Sequence, residues 1–329
     1  VTPRTGAVVL CRDRPIPTAE TLEALLAQEP QPDVLVLVDN DATPEVRALL
    51  EEAAARHPDA EVLDLERNYG ACGGFEKGVA RLLERPDLDY VIGFDDDATP
   101  LPGCIAGLLE AARSLPDAGE IGAMSHTREG TLAWPMHVVG EPGPALTVDD
   151  VRAIARRREA LEIPNNAWHG IMFPVPVLRR HGNVWGDLFL QYEDIELGMR
   201  FRRAGLRCYM APEAECIHPA PPPARPVRIL GRQIDVTAQS AAKEYLSLRN
   251  GLVVRSRYEG LRFWYGTGPF VLLRGLLSSL ALERPRLAAL RHVFLQGIMD
   301  AVRGRLGPPP PATAALDASR GTRARSAGS

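Results

Sequence analysis

The chain has 329 residues, 45% of them hydrophobic and 24% charged, with five cysteines and a net charge of −4. This is ordinary globular composition for one large domain or two of medium size, and it excludes collagen-like and disulfide-framework proteins. No apolar run reaches the roughly 18–20 residues that span a bilayer.

The opening segment VTPRTGAVVLCRDR lacks the apolar core and small-residue cleavage site of a secretory signal. Cys11, Cys72, Cys104, Cys208 and Cys216 are scattered with no C-x-x-C pair, so a reducing cytoplasm is expected. Strand-like and helix-like stretches then alternate. GAVVLC reads as a strand and TAETLEALLAQ as a helix, with Thr18 or Thr21 as its N-cap. DVLVLVDN is a near-continuous apolar run of the kind buried on both faces, and TPEVRALLEEAAARH is a helix with Pro44 in its first turn. AEVLDLE, GGFEKGVARLLE and DYVIGF continue the pattern as strand, helix and strand. Such alternation implies an α/β domain with a mostly parallel sheet, whose ligands sit at the carboxyl ends of the strands. VDN, RNYG and DDD all fall there.

After Pro102 the pattern loosens. Residues 127–147 read as a long loop, and Thr147 with Asp150 forms a capping box before a short helix. The Pro-rich stretch HPAPPPARP at 218–226 reads as a linker. It coincides with a change of charge: residues 1–220 carry 21 Lys and Arg against 36 Asp and Glu, residues 221–329 carry 17 against 6. The expected organisation is a catalytic domain over 1–220, a basic helical region over 221–306 and a disordered tail over 307–329. In the last helical stretch, Leu287, Leu290, Phe294, Ile298 and Ala301 line one face.

Four groups of residues carry chemistry. Asp95-Asp96-Asp97 follows an apolar strand, and three adjacent carboxylates repel one another unless a cation or solvent relieves them. A metal site and a solvated acidic turn are both open on the triplet alone. Asn68-Tyr69-Gly70-Ala71-Cys72-Gly73-Gly74 joins a strand to a helix, as an anion cradle or as a plain glycine-lined turn. It is neither G-x-G-x-x-G nor a P-loop. Glu193, Asp194 and Glu196 open a helix, where acids are stabilised by its dipole or serve as a general base. His218 is a candidate imidazole ligand.

The ordered set V-D-N at 38–40, R-N-x-G-x-x-G-G at 67–74, D-D-D at 95–97, E-D-x-E-L-x-x-R at 193–200 and His218 closely resembles family 2 glycosyltransferases. The resemblance covers roughly residues 6–220. It implies the nucleotide-diphospho-sugar transferase (GT-A) fold and inversion at the anomeric carbon. The Y-L-x-L-R-N segment at 245–250 is similar to the bacterial rhamnosyl- and galactofuranosyltransferase branch.

By that resemblance Asp39, Asn40, Arg67, Asn68, Gly70, Gly73, Gly74, Asp95 and Asp96 bind the nucleotide sugar. Asp95, Asp97 and His218 hold Mn²⁺ or Mg²⁺. Asp194 is the catalytic base, with Glu193 and Glu196 orienting it or the acceptor. Trp134, Trp168, His169 and Tyr192 fall where the family places acceptor contacts. The implied donor is a UDP- or dTDP-sugar. The acceptor is a glycan, a lipid-linked glycan or a small molecule.

Two rivals stand beside this. Asp95–Thr99 fits the D-x-D-x-T nucleophile loop of haloacid-dehalogenase-type phosphatases, although such a loop usually follows the first strand rather than the fourth. The basic C-terminal region alternatively makes the chain a membrane-surface scaffold, at the inner face of the membrane, on a transferase fold. Packing on the acidic first domain and self-association compete for the same helices. No recognition motif interleaves with the basic residues, so no nucleic-acid partner is expected.

Overall fold

The computed structural model describes residues 2–220, 225–229, 232–236, 239–282 and 286–317. The chain divides into two compact units, one of residues 1–186 and 194–221 and the other of residues 187–193 and 222–329.

The first unit runs in chain order through β1 (Thr5–Cys11), α1 (Pro15–Leu26), β2 (Val34–Asn40), α2 (Pro44–Ala55), β3 (Ala60–Leu65), α3 (Gly70–Leu83), β4 (Tyr90–Asp95), β5 (Thr99–Pro100) and α4 (Cys104–Ser114). It continues through β6 (Ala118–His126), β7 (Thr131–Met136), β8 (Ala145–Thr147), α5 (Val148–Ala155), β9 (Leu161–Ile163), β10 (His169–Pro174), α6 (Val175–His181), α7 (Glu193–Arg203) and β11 (Arg207–Ile217). The sheet order is β3-β2-β1-β4-β10-β6-β11-β5, with β7, β8 and β9 paired off this path. β3, β2, β1 and β4 are mutually parallel. β10 enters antiparallel between β4 and β6, and β6 pairs parallel with β11. Every residue of β1 and β2 is buried, as their unbroken apolar runs require of strands covered on both faces. Gly74 and Gly78 let α3 lie close on this sheet, since a Cβ there would come within 2.3 Å of Leu10 and 2.5 Å of Val8.

This topology brings the carboxyl ends of neighbouring parallel strands together. Cys11 lies opposite Asp39, and Leu10 opposite Asp95. The segment Arg12–Arg14, the Asp39–Asn40 pair and the acidic triplet therefore leave the sheet on one edge.

Several expectations are corrected. Thr18 and Thr21 are buried inside α1 rather than capping it; the helix starts at Pro15, whose fixed φ suits the first turn. The capping box of Thr147 and Asp150 is present at α5. Residues 127–147 are not all loop, because β7 and β8 pair antiparallel and bury Leu132, Ala133 and Ala145.

The second unit contains a β12 (Arg225–Ile229) and β13 (Arg232–Val236) hairpin where the sequence suggested linker and helix. Residues 221–224 of the Pro-rich stretch lie outside the described residues. Then come α8 (Ala241–Glu259), α9 (Arg262–Tyr265), α10 (Thr267–Ala281), α11 (Arg286–Ala289), a π-helical segment (Leu290–Leu295) and α12 (Gln296–Val302). Phe294, Ile298 and Ala301 pack on Leu248, Leu252, Phe263 and Val271, but Leu287 is 82% exposed. The wider π turn rotates the helix face, so Leu287 leaves the stripe that its spacing predicts. Residues 311–317, expected as tail, are helical, and the Asp317 carboxylate accepts the free N–H groups of Ala241 and Ala242 at the start of α8. Residues 318–329 lie outside the described residues.

Residues 187–193 belong to this unit, contrary to a boundary at 220, because the Arg249-Asn250 pair holds them. Both side chains are wholly buried. The Asn250 amide donates to the carbonyls of Leu188, Leu190 and Gln191 at 2.9–3.0 Å, and Arg249 donates to Leu188 and Gly307. Phe189, Gln191 and Tyr192 all have positive φ, a conformation that costs non-glycine residues energy and survives when neighbours over-determine it. No described helix is long and apolar enough to cross a membrane.

Candidate active site

The acidic triplet is built around a cation that the sequence did not announce. Arg14, four residues past the start of the edge at Leu10, pairs with both Asp96 and Asp97. Asp96 is buried, and burial pushes its carboxyl up to about 6 against the pull of Arg14. Asp97 is also nearly enclosed, but a hydrogen bond from His218, with the charge of Arg14, outweighs burial and holds it below the ordinary carboxylate value. His218 Nε2 lies 3.5 Å from Asp97 Oδ1.

His169 and His218 stack with ring centroids 3.8 Å apart. His169 Nδ1 meets Ser125 Oγ at 2.9 Å, and its Nε2 lies 3.8 Å from Asp95. Burial, aided by His218, keeps His169 well below the ordinary imidazole value, so it is neutral. His169 therefore joins the acidic cluster instead of standing among loop-borne acceptor contacts. Of the three expected metal ligands, Asp97 and His218 are brought together, while Asp95 faces His169. Among the described residues no group of three or more His, Cys, Asp or Glu side chains is arranged to hold a metal. A carboxylate with an imidazole still suits Mn²⁺ or Mg²⁺ that takes its remaining ligands from a diphosphate.

The residues expected on the nucleotide side form a braced loop. Asp39, wholly buried, accepts the Ala42 N–H at 2.7 Å and pairs with Arg47 at 2.8 Å. Asn40 accepts the Tyr69 N–H at 2.8 Å and donates to Gly70 O at 3.0 Å; Asn68 accepts the Gly70 N–H at 2.7 Å. Gly70 has φ of 71°, which a side chain would resist. Arg67 and Lys77 sit over the Tyr69 ring at 4.7 and 4.4 Å, leaving two cations at the rim. Gly73 packs on Tyr69 and Gly74 on Leu10, so these two serve helix packing rather than an open cradle.

Asp194 accepts the Ile195 N–H at 2.7 Å and the Asn165 amide at 3.1 Å. Burial raises its carboxyl from 3.8 to about 6. Glu196 is tied to Arg200 one turn on, which accounts for that spacing in structural terms. Glu193 is buried. Trp168 belongs to the core, stacked on Phe75 at 3.8 Å over Gly93, which corrects its expected acceptor role. Trp134 is exposed on β7, and Tyr192 lies in the second unit.

Glu120, on β6, escaped sequence reading because nothing local marks it. It is fully buried and accepts both the backbone N–H and the side-chain amide of Asn166, the neighbour of Asn165. Burial pushes it from 4.5 to about 8. The native state thus keeps a proton that the unfolded chain has lost above 4.5, so stability falls as pH rises through this window. Between pH 6 and 8, above the Asp194 window, one such proton contributes up to about 1.4 kcal/mol per pH unit. Glu120→Gln is expected to flatten the slope in urea unfolding over that range; parallel slopes in the two proteins would contradict the assignment.

The architecture is the GT-A fold. It is similar to the structure of GalNAc-T7 with UDP, GalNAc and Mn²⁺ (TM-score 0.57, 13% identity, covering 94% of this chain and 59% of that one). It is also similar to the mannosyltransferase PcManGT from Pyrobaculum calidifontis in complex with GDP-Man and Mn²⁺ (TM-score 0.54, 14% identity, 96% and 85%). Residues 7–182 match the Glycosyl transferase family 2 model, and the chain belongs to that family. Among its relatives, the galactofuranosyltransferase GlfT1 of Mycolicibacterium smegmatis is 26% identical over 291 residues, 84% of this chain and 94% of that protein. An N-acetylglucosaminyl-diphospho-decaprenol L-rhamnosyltransferase of Mycobacterium tuberculosis is 27% identical over 224 residues, 60% and 70%. The protein is a glycosyltransferase, and the phosphatase and non-catalytic readings fall.

Proposed function

We propose that this chain is a divalent-metal-dependent inverting glycosyltransferase of the cytoplasm, moving galactofuranose or rhamnose from a UDP- or dTDP-sugar to an acceptor hydroxyl. The observation that carries the reading is the Asp97–His218 pair beside Arg14 at the carboxyl ends of the parallel strands. Asp97 and His218 would hold Mn²⁺ or Mg²⁺, with Asp95 shared between ribose and metal; a bound divalent ion supplies Lewis-acid stabilisation of the leaving diphosphate. Arg14 adds fixed positive charge to the same edge. Arg67 and Asn68 line the nucleotide side, with Asp39 and Asn40 bracing their loop. Asp194, ionised above about pH 6, takes the proton from the attacking acceptor oxygen. A single displacement from the face opposite the diphosphate inverts the anomeric carbon without a covalent enzyme intermediate.

The two relatives' names, one a galactofuranosyltransferase and one a rhamnosyltransferase, support the donor choice. The second name, with its diphospho-decaprenol, favours a lipid-linked acceptor over a free glycan or small molecule. The test is incubation with UDP-galactofuranose and with dTDP-rhamnose, Mn²⁺ and a panel of alkyl glycoside acceptors, followed by proton NMR. Inverted product from one donor, lost on chelation, is expected. Retained configuration, or transfer indifferent to chelator, would overturn the proposal.

A further inference from the structure

Within thirteen residues of the second unit, Leu261, Trp264, Tyr265, Phe270 and Leu273 are each more than half exposed, Leu261 and Tyr265 at 82% and 75%. Single exposed apolar side chains are ordinary, but five large ones along one short stretch are not. They are held in place from within. Phe263 is wholly buried and meets the Trp264 ring edge-on at 5.0 Å, and Gly268, Val271 and Gly275 form the packed face of α10, the side away from Phe270 and Leu273.

Charge around this stretch is one-sided. Arg257, Arg262 and Arg274 are exposed. Between residues 255 and 275 the acid is Glu259, which is engaged by Arg255 at 3.1 Å and by Thr267. Phe270 and Arg274 also wall a cavity of about 280 Å³ with Tyr192, Ser247 and Arg255. In it Arg274 lies 3.6 Å from Glu244 and Arg255 3.1 Å from Glu259, so the charge offered to a headgroup comes from the exposed Arg257 and Arg262. Trp and Tyr place an apolar ring and a polar edge at a membrane–water boundary, and arginines are drawn to anionic headgroups. Neither the four-residue α9 nor the 15-residue α10 can span a bilayer, so such a surface lies in its face.

We propose that residues 257–273 dock this protein on a bilayer containing anionic lipid, Leu261, Trp264, Tyr265, Phe270 and Leu273 entering the headgroup region and Arg257 and Arg262 contacting the lipid phosphates. The proposal stands apart from the donor and acceptor readings, because vesicle binding needs neither substrate.

The test is flotation of the full chain with phosphatidylcholine vesicles with and without phosphatidylglycerol, at low and high salt. The wild type is expected to float with anionic vesicles and to release partly in salt. Trp264→Ser with Phe270→Ser should weaken binding by about ten-fold or more, and Arg257→Gln with Arg262→Gln should remove the preference for anionic lipid by a similar factor. In the unaltered protein, brominated lipids should quench a part of the tryptophan emission that is missing from Trp264→Phe. Absence of wild-type flotation, binding untouched by the apolar pair, or a dimer that the apolar pair converts to monomer, the sign of a second copy on this face, would each overturn the proposal.

Discussion

Replacing Asp194 by Asn is expected to lower kcat by about 10²–10⁴-fold while nucleotide binding stays close to wild type. Asn keeps an oxygen that can accept the Ile195 N–H but places an amide NH2 where Oδ2 accepts the Asn165 amide, and it cannot take a proton. The wild-type rate should rise with pH through about 6, where the buried carboxyl ionises, and the residual activity of the variant should lack that limb. The sign for stability is opposite. Since the folded carboxyl titrates near 6 and the unfolded one near 3.8, the native state loses stability as pH rises between these values. Asp194→Asn is relieved of that buried charge but gives up the hydrogen bond from Asn165, so urea unfolding at pH 7 measured beside kcat separates lost chemistry from lost fold. Normal turnover in that protein would remove Asp194 as the base.

The second large effect is expected at the triplet. Asp97→Ala and His218→Ala should each weaken metal-dependent nucleotide binding by roughly 10–100-fold or more, the range found when even the outer partners of a metal site are removed. The two should differ in one respect. Asp97→Ala also takes a carboxylate from Arg14, leaving that guanidinium with Asp96 alone, so metal-independent binding of the diphosphate should improve relative to His218→Ala. Calorimetric titration of nucleotide with and without Mn²⁺ reads both quantities, and metal titrations unchanged in either variant would take that residue out of the site.

The first half of the α/β unit was legible because its signals are local. The apolar runs of β1, β2 and β4, and the Pro44 start of α2, follow from burial on both faces and fixed φ, whereas α1 starts at Pro15, three or more residues before the start expected from the sequence. The acidic triplet and the N-x-G-x-x-G-G loop were legible as well, since their residues are consecutive. Arg14 was not, because its partners lie 82 and 83 residues away and only the register of β1 on β4 brings them together. Glu120 and the Asn165-Asn166 pair were hidden for the same reason. β7 was missed because its single rung on β6, His126 with Leu132, leaves half of it exposed and without period-two patterning. The strap at 187–193 has no local signature at all: positive φ at Phe189, Gln191 and Tyr192 runs against their preferences and rests on Arg249 and Asn250. The sequence pointed to that Arg-Asn pair as a family mark but not to its work, which is to hold carbonyls.

The measurement that tests the central claim most directly is calorimetric titration of the wild type with UDP and with dTDP, each with Mn²⁺ and with chelator. The account predicts that one of the two binds only with metal. Binding of neither nucleotide with Mn²⁺ present, or equal binding with and without it, would contradict a metal-assisted nucleotide-sugar site at Asp97 and His218.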